Sequence, residues 1–354
     1  MKSFIFVCLA ILTGVAGLPE VWAQGQIHSA PFALGLSMQP ALCGVYEGQW
    51  RASLVGLQRN LVLPRSQGGT GQLQQMVHAA FQLERDIQST WFNGGGGLWL
   101  DSERMPGLSI QHAQAALAYE VPLSSRVRYH RLRAGFQGGA IQYQLDPSAF
   151  SFEDQFDGQG FSRSTVQQLP RESLVRFDLA MGLLFYRIQK IRGNPEFNYY
   201  LGGSMRHVNR PEIGFFATEE RQLSMLSMLQ AGGVLRTRSP WELMGGFMYQ
   251  YQNDRSHWLG QLAARYSIHE GQSILGQRLA QLLVGINYRP NLSATVLAGL
   301  GLQRNLRLAC FYEIRTNVRD LLPNQRGGIG LVLQYLWGGT MTDEELNRHP
   351  FPDF

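Results

Sequence analysis

Beyond one N-terminal apolar run over residues 4–16, no stretch of this chain is apolar long enough to cross a membrane as a helix. Instead, segments of roughly ten residues alternate apolar and polar, down to Ile329-Gly330-Leu331-Val332-Leu333-Gln334-Tyr335-Leu336-Trp337. The clearest places Val175, Phe177, Leu179, Met181, Leu183 and Phe185 at every second position, with Arg176 and Asp178 between them. Successive side chains of a strand point to opposite faces, so one face is greasy and the other can hold charge. A tilted strand of that length crosses a bilayer within a closed barrel.

The pattern predicts an all-β chain, a transmembrane antiparallel β-barrel of about 14 strands. Candidate strands are 49–57, 75–84, 95–100, 112–121, 129–143, 173–185, 197–208, 223–235, 242–252, 258–267, 281–289, 293–303, 305–315 and 328–337. Short polar turns such as Asn253-Asp254-Arg255-Ser256 separate some of them. Longer connections over 63–74, 101–111, 144–172, 209–222 and 269–280 separate others, predicting short turns at one end and long loops at the other. An even strand number puts both termini on the periplasmic side. A soluble sandwich would also alternate, but with more charge on its outer face. A mean hydropathy of −0.15 suits a barrel, whose walls have only one apolar face.

Residues 1–23 read as a cleaved signal peptide: Lys2, an apolar run, then Val21-Trp22-Ala23 before Gln24. A periplasmic or lumenal segment over 24–47, the barrel over 48–338 and a tail over 339–354 complete the division. The formal net charge of +5 comes from arginines scattered singly, with Lys2 and Lys190 the only lysines. Without a basic run, nucleic acid is not an expected partner; a lipid bilayer is. Cys43 and Cys310 remain after cleavage, and Cys310 falls on an apolar face, which favours a free thiol. With no Cys/His cluster, neither metal nor cofactor is expected.

Few residues suggest chemistry. Glu153-Asp154-Gln155-Phe156-Asp157 is an acidic cluster without EF-hand spacing. Gly94-Gly95-Gly96-Gly97 lacks the Lys-Ser/Thr of a phosphate loop and reads as a strand that bends where the wall is crowded. His207 and Asn209 sit at a strand end, and no Gly-x-Ser-x-Gly elbow accompanies them, so no catalytic residue is assigned. The polar faces carry Arg51, Glu84, Arg133, Arg176, Asp178, Arg265, Arg307 and Glu313. Such charges either line a selective pore or pair across a filled interior. Arg176 and Asp178, two residues apart on one face, favour bracing.

Four segments in order carry a resemblance. Gln39-Pro40-Ala41-Leu42-Cys43-Gly44 resembles the opening stretch of PorP/SprF-type proteins, with Gln39 in place of their usual Asn. Leu132-Arg133-Ala134-Gly135-Phe136 followed by Phe152-Glu153-Asp154-Gln155-Phe156 is similar to the family's strand and loop that come next. Gly202-Gly203-Ser204-Met205-Arg206-His207-Val208-Asn209-Arg210-Pro211 resembles a third motif, and 306–314 with 327–337 fall where the last two strands lie. The resemblance implies a non-enzymatic outer-membrane component of type IX secretion or gliding motility. Its partners would be secreted surface proteins with type IX signals and periplasmic or lipoprotein parts of the machinery. It carries no catalytic residues. Docking positions are expected at Glu153, Asp154, Gln155, Phe156, Asp157, His207 and Asn209, with a general porin or small-solute channel as the alternative.

Overall fold

The computed structural model describes residues 33–46, 48–63, 72–89, 91–123, 130–146, 172–187, 196–214, 222–237, 239–268, 273–274, 277–290, 292–302, 305–316 and 327–338. The signal-peptide region, the 153–157 acidic cluster and the tail beyond 338 lie outside these residues. Among them no helix is long and apolar enough to cross a membrane. The chain instead forms a closed antiparallel barrel of fourteen strands.

The strands are β1 (Trp50–Leu63), β2 (Gln72–Gln88), β3 (Asn93–Met105), β4 (Leu108–Pro122), β5 (His130–Leu145), β6 (Glu172–Arg187) and β7 (Glu196–Arg206). They continue as β8 (Leu226–Arg236), β9 (Trp241–Gln252), β10 (Arg255–Ser267), β11 (Gln277–Arg289), β12 (Ser293–Leu302), β13 (Leu306–Arg315) and β14 (Gly328–Trp337). Each strand pairs with its neighbours in sequence, with a two-residue ladder at Ser273–Ile274 beside β11. β1 against β14 closes the ring, from Trp50 opposite Trp337 to Arg59 opposite Gly328. Closure leaves no sheet edge with unpaired N–H and C=O groups in hydrocarbon, where each would cost several kcal/mol.

The alternation decides the faces. Along β6, Val175, Phe177, Leu179, Met181 and Leu183 are exposed, while Asp178, Ala180, Leu184 and Tyr186 are buried. Exposed Leu, Val and Ile side chains cover the rest of the outer wall in the same register. Aromatic rings gather toward both ends of that wall. Trp50 stacks on Trp337 at 5.9 Å and Trp241 packs on Tyr266 at 4.9 Å near the termini, and Trp258 meets Tyr288 at 6.2 Å at the other end. Such belts sit at the two interfaces of a bilayer.

The connections depart from the sequence expectation. At the end away from the termini, β3 and β4 join through a turn at Pro106 and Gly107, so most of 101–111 is strand rather than long loop. The same end carries the tight β9–β10 turn, where Asn253 and Asp254 adopt φ 51° and 57°. The 269–280 connection lies at the termini end, so long and short connections mix at both ends.

Candidate functional site: the plugged lumen

Among the described residues, the inward faces surround a segment of the chain itself. Every residue from Ala33 to Tyr46 is buried, and this segment lies inside the barrel as a single helical turn α1 (Gly35–Met38) followed by a 3-10 turn (Pro40–Leu42). Pro40 opens the second turn, where its missing N–H costs nothing. Gly44 ends it at φ +75°, a conformation that favours glycine, and a Cβ there would lie 2.8 Å from the Cα of Gly95.

The wall is cut back where the plug backbone passes. A Cβ on Gly95 would sit 2.2 Å from the Cys43 carbonyl oxygen, and one on Gly135 2.3 Å from the Ala41 nitrogen. On Gly202 it would lie 2.7 Å from Gln39 Oε1, and on Gly97 3.0 Å from Cys43 Sγ. Within the run at 94–97, Gly95 and Gly97 therefore serve close approach of the plug, while Gly94 is crowded by the Ala118 carbonyl of β4. Apolar side chains complete the fit: Met38, Ala41, Leu42 and Val45 cluster with Leu184, Tyr186, Tyr200, Met228, Met248 and Leu259. Leu36 and Cys43 pack against Trp99, Ala116 and Ala118.

The polar groups of the plug are met by the wall. Gln39 Nε2 donates to the Leu183 carbonyl at 2.6 Å, and Gln230 donates to Gln39 Oε1. Ser204 Oγ donates to the Met38 carbonyl at 2.9 Å and Arg206 Nη1 to the Ser37 carbonyl at 2.9 Å. The Leu36 N–H donates to Gln82 Oε1 at 3.2 Å and the Gly44 N–H to Glu84 Oε1 at 3.2 Å. Buried backbone groups of a segment outside the sheet need such partners. Burial, and next the Glu84 carboxylate, push the Cys43 thiol well above its ordinary range. Cys43 and Cys310 are both free, the first buried and the second exposed on the outer wall.

The charged positions read from the sequence fall into separate groups. Arg51 pairs with Glu84 at 2.5 Å, and Arg133 Nη1 meets Glu120 at 3.2 Å while its Nη2 donates to the Cys43 carbonyl. Arg265 Nη1 meets Glu242 at 3.3 Å, and Glu313 accepts from Arg59 at 2.7 Å. Arg265 and Arg307 flank a small recess with Gln281, Leu283 and Gly301. Arg176 and Asp178 share a face but brace different elements. Arg176 Nε donates to the Glu212 carbonyl at 3.0 Å, whereas Asp178 accepts from His207 Nδ1 and Gln114 Nε2, both at 2.8 Å.

His207 is buried, at φ 57°, and Asn209 closes the same corner: its Oδ1 accepts the Leu179 N–H at 3.0 Å and its Nδ2 donates to the Phe177 carbonyl at 2.7 Å. The Asn209 amide thus stands in for a strand residue beside β6, past the point where its pairing with β7 ends at Ala180. Burial holds the His207 imidazole below its usual range against the pull of Asp178. Trp99, Gln82, Glu120, Ser204 and Gln230 also belong to the site. Nothing in the sequence separated them from other inward-facing positions, because their partners come from strands far away in the chain.

These features define a class: a membrane β-barrel whose lumen holds the segment that precedes its first strand. Over residues 35–335 the sequence matches the family described as "Type IX secretion system membrane protein PorP/SprF", and the chain belongs to that family. No curated protein matches it. Among solved structures it is similar to the "TodX monoaromatic hydrocarbon channel deltaS2 mutant", with TM-score 0.51, 10% identity, and coverage of 87% of this chain and 94% of that one. It is also similar to the "P. putida toluene transporter TodX", with TM-score 0.48, 8% identity, and coverage of 89% and 95%. At such identity the first likeness speaks for the barrel fold alone.

Proposed function

We propose that this barrel is a non-enzymatic outer-membrane component of type IX secretion or of gliding motility. It docks secreted surface proteins at its loop end and periplasmic or lipoprotein partners at its termini end. The observation that carries this reading is the filled lumen: a steady solute pore is incompatible with a plug hydrogen-bonded to β2, β6, β7 and β8. Membership of a secretion-system family supplies the context. Within the reading, Glu153, Asp154, Gln155, Phe156 and Asp157 form the client-docking loop, and His207 and Asn209 hold the base of the neighbouring connection in shape.

Deleting Glu153–Asp157 is the test. Loss of surface display of a secreted client, with the barrel still inserted, supports the reading, and undiminished display refutes it. The likeness to a structure titled a hydrocarbon channel favours a second reading, a small-solute channel. Planar-bilayer recording separates the two: the docking reading expects silence from the intact protein, and large steady openings would favour the channel.

A further inference from the structure

Where β1 meets β14 and the ring closes, the outer wall sets an arginine on the aromatic belt. The register places Trp50 of β1 between Trp337 of β14 and Arg85 of β2. Arg51 and Glu84, the chain neighbours of Trp50 and Arg85, are buried, whereas Arg85 is exposed. Alternation therefore turns the Arg85 guanidinium to the outer wall. Its central carbon lies 5.1 Å from the centre of the Trp50 ring. Trp50 stacks on Trp337 at 5.9 Å, and Trp337 on Tyr335 at 5.7 Å. A cation is attracted to the face of an indole, and the stack holds this one at the level of the belt. A bilayer places its headgroups at that level, and an arginine there lays its stem on apolar wall and its charge in the headgroup layer.

Beyond this rung, toward the middle of the wall, the outward face of β1 is low. Ala52 lies beside Tyr335, and Gly56 beside Leu331, with Leu54 between the two small residues. Tyr335 and Leu331 are exposed and form a ridge along β14. A Cβ built on Gly56 has no heavy atom within 4 Å, so the surface there is open. The result is a shallow apolar trough that begins under the Trp50 ring. Six residues of a strand tilted by about 40° descend roughly 15 Å, which is half the hydrocarbon core of a bilayer. The trough thus has the depth of one leaflet, with a guanidinium at its head.

We infer that Arg85, stacked on Trp50, binds the phosphate of a glycerophospholipid whose acyl chain lies along β1. The planar guanidinium fork matches two phosphate oxygens, and the attraction is stronger at the edge of hydrocarbon than in water. The chain covers apolar wall that only lipid can cover. Because Trp337, Trp50 and Arg85 belong to three adjacent strands, the lipid lies across the junction that closes the ring. A ligand that binds only the closed barrel stabilises it by mass action.

The test adds dioleoyl phosphatidylglycerol to the full-length protein in detergent micelles. Dioleoylglycerol, with the same chains and no phosphate, is titrated in parallel, and inorganic phosphate at matched ionic strength is a third arm. Native mass spectrometry counts the lipid retained, and the thermal unfolding midpoint is followed. Phosphatidylglycerol alone is expected to be retained at one copy per barrel and to raise the midpoint saturably. R85Q should weaken that binding roughly tenfold, the worth of a charge-assisted hydrogen bond. R85K should fall between, because it keeps the charge and loses the fork. R104Q removes an exposed arginine at the opposite end of the barrel, on β3, and should bind like the unaltered protein. Equal retention of dioleoylglycerol, an equal response to inorganic phosphate, or R85Q and R104Q behaving alike would overturn the inference.

Discussion

Two stretches of the inner wall are filled in opposite ways. On β3, β5, β6 and β7 the inward glycines 95, 97, 135, 182 and 202 make room for the plug, whose atoms occupy the space a Cβ would take. On β11 to β14 wall side chains supply most of the filling: Leu283, Leu297, Phe311 and Val332 are buried together with Ala33 and Leu34 from the start of the plug, and the inward Gly330 is covered by the ring of Phe311, 2.1 Å from where its Cβ would be. The first stretch depends on the plug backbone, while the second is filled largely by wall side chains, with Ala33 and Leu34 joining them. Moving the plug would therefore empty the first stretch and leave most of the second in place.

The largest effect should follow removal of the plug. Deleting residues 33–46 is expected to turn a silent barrel into one with steady conductance steps in planar bilayers, and to lower its melting temperature. Silence after the deletion would mean that the second stretch alone closes the lumen, and the contrast between the two would fail.

The second stretch is probed by F311A, which leaves a void beside Gly330. A loss of about 3–5 kcal/mol in stability is expected for an aromatic removed from a packed interior. Conductance should remain at baseline, and Cys43 should stay unreactive toward a maleimide. Cys43 is a built-in reporter here. Its thiol is buried and its pKa is raised, so in a C310S background, which removes the exposed Cys310, Cys43 should show no gain in labelling as pH rises from 7 to 9, where an ordinary thiol ionises. Labelling of F311A at Cys43 would show that the two stretches are coupled.

G135V attacks the first stretch where an added Cβ would lie 2.3 Å from the Ala41 nitrogen. The new side chain meets the Pro40–Ala41 backbone, which cannot move aside without shifting the plug. The expected cost is about 1–3 kcal/mol, with Cys43 becoming reactive while the barrel keeps its heat-modifiable mobility on gels. A folded G135V with an inert Cys43 would show that the plug has room to spare.

The contrast also marks where the sequence was legible. Fourteen strands and the outward set on β2, β4, β6 and β10 follow from a period of two, because half-buried strands impose that period on local sequence. The plug has no such period. Residues 33–46 are a short mix of Gly, Ser, Gln, Pro, Tyr and apolar residues, and their partners on distant strands lie up to 301 residues away, as Ala33 to Gln334 shows. The same distance hides the partners of Arg176 and Asp178, since Arg176 reaches Glu212 in the connection after β7, and Asp178 reaches His207 there and Gln114 on β4. Gly95 and Gly97 looked like local strand irregularity because the atoms that require them belong to residue 43. The loose segments 39–44, 133–135 and 202–211 gain a physical meaning together. Arg133 holds the Cys43 carbonyl, Ser204 that of Met38, and the inward glycines clear the path between them.

The smallest expected effect checks that clearance, not glycine as such, distinguishes the first stretch. Gly56 of β1 faces outward between the buried Val55 and Leu57, and a Cβ built there has no heavy atom within 4 Å. G56A therefore meets no neighbour, adds one methyl group to an apolar surface, and lessens the backbone freedom that glycine has in the unfolded chain. Its stability should change by less than about 0.5 kcal/mol, and any change should be a gain. Cys43 should remain unlabelled and the barrel silent. A G56A barrel as unstable as G135V would mean that the strands tolerate no side chain at their glycines for reasons of backbone geometry. The plug would then explain none of the glycine pattern on the opposite wall.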